Sequence, residues 1–168
     1  MDKKSQTITL KDGRKFGFGE YGDLNGKSLF HNHGHPGSRF VAKLFDETAL
    51  QNGIRVIGVD RPGMGLSEFK PNPTLLDFPD DIVELADTLG FDKFFVEGIS
   101  GGGPYALACA YKVPDRLIKC GLIAGMGPID LGTKGMMRSN RIEFFLAKRF
   151  FWLYKRLIKY QRKIFTNT

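Results

Sequence analysis

Residues 94–104 read Phe94-Phe95-Val96-Glu97-Gly98-Ile99-Ser100-Gly101-Gly102-Gly103-Pro104. An aromatic, β-branched run passes into Gly-x-Ser-x-Gly and then directly into a small-residue stretch of helical pattern ending near Tyr111. A strand that turns into a helix within so few residues forces the apex residue into a strained conformation and leaves its side chain exposed at the strand's C-terminal end. Gly98 and Gly102 suit that turn because a Cβ at either would clash, and the helix N-terminus beneath it favours developing negative charge. The spacing marks Ser100 as a candidate nucleophile on a sharp elbow. Gly-x-Ser-x-Gly alone is often an ordinary turn, so its setting between strand and helix gives it its weight.

Outward from this stretch, short β-rich runs alternate with helical patterns from Ile8 to Ile123, which predicts an α/β domain with a mainly parallel sheet. Gln6–Leu10 and Lys15–Tyr21 flank Asp12-Gly13 and should form an antiparallel hairpin. Ser28–His33 is the first parallel strand and enters the loop HGHPGSR. Ser38 caps a helix expected to run to about Gln51, with Asn52-Gly53 as its stop signal. Arg55–Asp60 is a buried strand ending in a second tight loop, RPGMGLS. A helix follows from about Asp77 to Leu89, with Pro79 tolerated in its first turn. Lys93–Gly98 is a strand, Gly101–Tyr111 a helix and Lys119–Ala124 a further strand. No internal repeat is visible.

From Gly135 onward the chain contains no further Gly and no Pro, and residues 131–168 hold eight of the 21 aromatics. Ile142, Leu146, Phe150, Leu153, Leu157, Tyr160 and Ile164 follow spacings of three and four, while Lys148, Lys155, Lys159 and Arg162 fall on another face. This predicts one or two amphipathic, basic helices. The organisation expected is therefore a core over residues 1–130 and a helical segment over 131–168.

The net charge of +7 on 168 residues is unevenly placed. Residues 131–168 carry ten Lys/Arg against Glu143 alone, whereas residues 1–130 carry fifteen against seventeen Asp/Glu. A basicity confined to one segment is a property of that segment rather than of the fold, so a nucleic-acid partner is not expected. With 42% hydrophobic and 26% charged residues the composition is that of a globular domain, and no apolar run approaches the roughly 18 residues of a membrane span. Lys3 and Lys4 are followed by no apolar signal region. Cys109 and Cys120 lack a CxxC spacing and read as buried thiols in a reducing, cytoplasmic setting.

HGHPGSR, DRPGMGLS and GISGGGPYA follow successive parallel strands in that order, and in this the chain resembles the α/β-hydrolase superfamily. It is most similar to single-domain serine hydrolases carrying HGxPGSR, DRPGxGxS and GxSGGGPYA, over about Ile8 to Lys134. The resemblance implies that Ser100 is the nucleophile and that the backbone N–H groups of His35 and Gly101 form the oxyanion hole. His33, Gly34 and Pro36 shape one loop, Asp60 and Arg61 anchor the next, and Gly98 and Gly102 shape the elbow. The implied chemistry is acyl transfer to water from a small ester, thioester or amide, without metal or organic cofactor.

One requirement of that chemistry is missing from the sequence. A serine hydroxyl needs a base, and in this fold the order is Ser, then Asp or Glu, then His. Here His31, His33 and His35 all precede Ser100, and Asp130 and Glu143 are the only acids after Asp115. Neither a triad acid nor a base is identified, and the chain is expected to end inside the helical cap, before the final strands of the fold. His33 is expected to bond backbone, Asp60 and Asp130 to serve structure, and Glu97 to pair with an arginine such as Arg116, because a buried lone carboxylate is costly.

Two readings stay open: a serine hydrolase incomplete at this length, or a non-catalytic binding or membrane-surface module. The basic helices could wall a pocket, meet anionic lipid or meet nucleic acid; the first is simplest, since a solvated charged face needs no partner. Without later strands, Lys119–Ala124 would be an open edge prone to self-association.

Overall fold

The turn at Asp12-Gly13, with Gly13 at φ +89°, returns β1 (Gln6–Thr9) along β2 (Lys15–Gly22) in antiparallel register, Gln6 opposite Phe18. The other strands, β3 (Lys27–Asn32), β4 (Ile54–Val59), β5 (Phe94–Ile99) and β6 (Leu117–Ile123), run parallel to one another, and β2 joins them antiparallel through β4. The sheet order is β1-β2-β4-β3-β5-β6. This is the mainly parallel α/β architecture that the alternation predicts. The computed structural model describes residues 3–166.

Helices cover both faces of the central strands, so that even polar residues of β3, His31 and Asn32, are buried. On one face Phe30, Ile57, Val59, Phe94 and Val96 pack against Phe78, Ile82 and Leu85 of α2 (Phe78–Thr88) and Ala106 and Cys109 of α3 (Gly103–Lys112). Each large side chain fully buried here contributes about 1.5–3 kcal/mol. On the other, Tyr21 and Val56 meet Ala42 and Ala49 from the 3-10 segment Arg39–Phe45 and α1 (Asp46–Gln51).

The single helix expected over 38–51 is thus two pieces. Ser38 accepts from the Phe40 N–H at 3.4 Å, but the first turns are drawn onto β4. The Arg39 N–H donates to Asp60 at 2.7 Å, and the absent side chain of Gly58 leaves room for the Arg39 carbonyl. Such tethers favour the tighter 3-10 winding.

Glu97 does not pair with Arg116. His31 and Glu97 are opposite each other in the β3–β5 register, and His31 Nδ1 hydrogen-bonds Glu97 Oε1 inside the protein. Arg116 instead donates to Asp87 at 2.7 Å and to the carbonyls of Phe91 and Asp92. Cys120 is likewise exposed rather than buried; it lies on β6, an edge strand of the sheet whose residues are largely exposed. Cys109, within α3, is buried.

The chain divides into two compact units, Met1–Gly127 and Pro128–Thr168. The second contains α4 (Arg138–Arg149) and α5 (Phe151–Thr166), two helices interrupted at Phe150, whose ψ of +56° leaves the helical range. Among the described residues no helix is long and apolar enough to cross a membrane.

Candidate functional site

β4, β3 and β5 are neighbours in the sheet, so the loops leaving their C-terminal ends converge although they are far apart in sequence. Ser100 stands at the end of β5 with φ +50°, in the left-handed region that a non-glycine residue occupies at a cost of order 1–3 kcal/mol. Three residues of 3-10 turn, Ser100–Gly102, lead straight into α3. The turn closes only because its flanks lack side chains: a Cβ on Gly98 would meet the Gly102 carbonyl, and one on Gly102 the Asn32 carbonyl, both closer than any real contact.

The loop after β3 lies directly against this elbow. A Cβ on Gly34 would be 3.3 Å from that of Ser100, and one on Gly101 would be 3.5 Å from the His35 nitrogen. The N–H groups of His35 and Gly101 thus belong to adjoining backbone beside the serine. Both peptide groups are also held at their carbonyl ends. The Gly34 carbonyl accepts from Arg61 Nη2 at 3.0 Å and from His33 Nδ1 at 2.7 Å, and the Ser100 carbonyl accepts from the Met126 N–H at 3.0 Å.

At 2.7 Å from a carbonyl, His33 Nδ1 must carry the proton, so the approach of Arg61 Nη2 to it at 3.4 Å sets two donors side by side. Burial, and then the neighbouring guanidinium, push the His33 pKa down to about 4. The ring stays neutral at ordinary pH. Arg61 is itself buried, which lowers its pKa. It rests over the Tyr105 ring at 4.9 Å and donates through Nη1 to the Gly101 carbonyl at 3.1 Å.

Asp60 anchors the third loop with both carboxylate oxygens engaged. It accepts from the Arg39 N–H at 2.7 Å, Arg39 Nη1 at 2.8 Å and the Leu66 N–H at 2.9 Å. Pro36 and His35 sit exposed at the loop's outer side.

The model of the alpha/beta hydrolase fold family matches residues 27–164. The chain belongs to that family. RutD of Caulobacter sp. (strain K31), provisionally described as a carbamate hydrolase, is 38% identical over 84 residues, 49% of this chain and 31% of RutD. A non-heme chloroperoxidase of Streptomyces lividans is 27% identical over 160 residues, 83% of this chain and 57% of its own. Among solved structures, a thermophilic esterase from Thermogutta terrifontis superposes with TM-score 0.62 at 30% identity, covering 73% of this chain and 46% of the esterase. The chain spans between about a third and somewhat over half the length of these alpha/beta hydrolase relatives.

Within this family member, the residues singled out by sequence fall into two groups. Ser100, Gly101, Gly102, Gly98, Gly34, His35, His33 and Arg61 come together at one end of the sheet, while Asp60 holds the loop behind them. Asp130 belongs to an exposed turn, Ile129–Leu131, of the second unit. The sequence reading passed over Met126, whose contribution is a backbone N–H and so leaves no sequence signal. It also passed over Asn32, whose Nδ2 donates to the Glu97 carbonyl at 2.9 Å beneath the elbow; a buried Asn ending an apolar strand was the available cue. Among the described residues no group of three or more His, Cys, Asp or Glu is arranged to hold a metal ion.

Proposed function

We propose that the protein is a serine hydrolase of the esterase type, in which Ser100 attacks a small acyl substrate and the N–H groups of His35 and Gly101 receive the oxyanion of the tetrahedral intermediate. The observation that carries the reading is the strained backbone of Ser100, at φ +50°, immediately beside the Gly34–His35 peptide. Strain of this kind persists only where the surroundings over-determine it, and it concentrates at working sites. An ester substrate is supported by the likeness to the Thermogutta esterase at 30% identity. Acylation frees the alcohol, and water then releases the acid and restores the serine. No metal or organic cofactor takes part.

The proton acceptor is not among the groups gathered here. His31 is engaged by Glu97 and His33 by Gly34, and His35 contributes its backbone. The 168-residue chain should therefore hydrolyse p-nitrophenyl acetate within about a thousandfold of the uncatalysed rate, since oxyanion donors and binding leave roughly that residue of catalysis. That no free base stands at this site among the described residues supports a second reading, a non-catalytic hydrolase-fold module. A fluorophosphonate probe distinguishes them. Weak labelling lost in Ser100→Ala supports the hydrolase, absence of labelling supports the module, and full enzymatic turnover abolished by Ser100→Ala would show that a base is present.

A further inference from the structure

Arg61 presents an energetic puzzle that the fold alone does not resolve. Its side chain is buried, with the residue 5% exposed, yet among the described residues no carboxylate is paired with it; the adjacent Asp60 is committed to Arg39. A buried cation without an anion is expensive, and its Nε finds no hydrogen-bond partner at all. What the guanidinium does have is two carbonyls, Gly34 at 3.0 Å and Gly101 at 3.1 Å, and the face of Tyr105. Tyr105 is braced in turn against Phe78, ring centres 5.0 Å apart, so the cation is fixed from the helix side and aimed at the elbow side.

Those two carbonyls lie in the two backbone segments that flank Ser100. The Gly34 carbonyl and the His35 N–H are opposite ends of one peptide group, so a charged donor on the oxygen draws electron density from the nitrogen end and strengthens that N–H as a donor. The bond to Gly101 holds the second segment in place. We infer that Arg61 is a positioning residue of the oxyanion hole, orienting and polarising the His35 N–H and supplying the buried positive charge whose missing counter-ion is the oxyanion formed on the substrate. In the resting protein the charge is uncompensated; in the tetrahedral state it is not. That difference is the kind that stabilises a transition state selectively, because an interaction equal in both states would accelerate nothing.

The inference rests on Ser100 being the nucleophile, so the test must separate the two. Benzeneboronic acid is the probe. Ser100 Oγ adds to boron, the hydroxyl proton passes to buffer, and boron becomes a tetrahedral anion in place of the carbon intermediate, with no base or leaving group required. Boron NMR on the full chain counts the tetrahedral species, benzamide serves as the neutral planar comparison, and thermal melting checks folding. The wild type should form the adduct and Ser100→Ala should not. Arg61→Gln keeps a neutral donor and should weaken the adduct by about ten- to a hundredfold while leaving benzamide affinity within about twofold; Arg61→Lys keeps the charge and should recover most of the loss.

No adduct on the wild type overturns the serine reading and this inference with it. An adduct lost equally with benzamide binding in Arg61→Gln, or untouched by it, overturns the role of Arg61 alone. Should Arg61→Gln fail to fold, the wild type decides: the guanidinium N–H signals of Arg61 should shift on boronate binding and not with benzamide, and unmoved signals overturn the inference.

Discussion

His33 and His35 occupy the same loop and carry opposite expectations. For His33 the side chain matters. Its folded pKa of about 4 lies below the ordinary 6.5, so between these values the unfolded chain binds a proton that the native state refuses. Its contribution to stability is present in full above about pH 6.5 and is lost as pH falls towards 4, amounting to about 3 kcal/mol at most. Melting temperature should therefore decline over that window, and His33→Asn, which places an amide N–H near the Nδ1 position, should flatten that decline. For His35 the proposed contribution is the backbone N–H. His35→Ala should keep most boronate affinity, whereas His35→Pro removes the N–H and should cost about a hundredfold. Equal, severe losses in both would mean that the imidazole takes part. The contrast is expected from the sequence, since the resemblance implies that a histidine in the x position of HGxP contributes its main-chain N–H. The depressed pKa of His33 is not legible there, because it arises first from burial and then from Arg61, 28 residues away in sequence, and both depend on the folded packing.

Across β3 and β5, the His31–Glu97 pair shows what periodicity leaves undetermined. The alternation of each strand identifies which residues face the same side, and Glu97 stood out as a carboxylate in an apolar run. Its partner depended on which strand lies alongside and in what register, which is tertiary information. His31 Nε2 and Glu97 Oε2 are both buried without partners, so the pair is only partly satisfied. Glu97→Leu alone orphans His31 Nδ1 and should destabilise by about 1–3 kcal/mol, whereas His31→Leu with Glu97→Leu should recover most of that loss. Urea unfolding of the two singles and the double closes the cycle, and additive losses would show that the two side chains act independently. The strands were read to within about a residue or two, because turn residues such as Asp12-Gly13, Gly26, Asn52-Gly53 and Asp60 punctuate most of them. The segment after Ser38 was misread for the converse reason: its winding is set by Asp60 and Gly58, which lie on another element.

For the chain as a whole, the outer strand β6 is the exposed feature. Leu122 and Ile123 are 48% and 46% exposed, and β6 ends the sheet order, so one row of its backbone groups faces outward. The purified chain should self-associate through this edge, with light scattering rising with concentration and Leu122→Lys shifting the population towards monomer. A monodisperse wild-type monomer with a cooperative melt at about 45–65 °C would overturn this. The parallel strands that position the site impose a further condition. Neighbouring parallel strands are joined by crossovers through helices, so His35, Arg61 and Ser100 meet only after several long chain segments have closed. The site is complete only when β3, β4 and β5 are all paired. A half-folded chain leaving the ribosome would carry the serine without its surroundings, so chemical reactivity at that hydroxyl is a clock that starts only when the last central strand has docked.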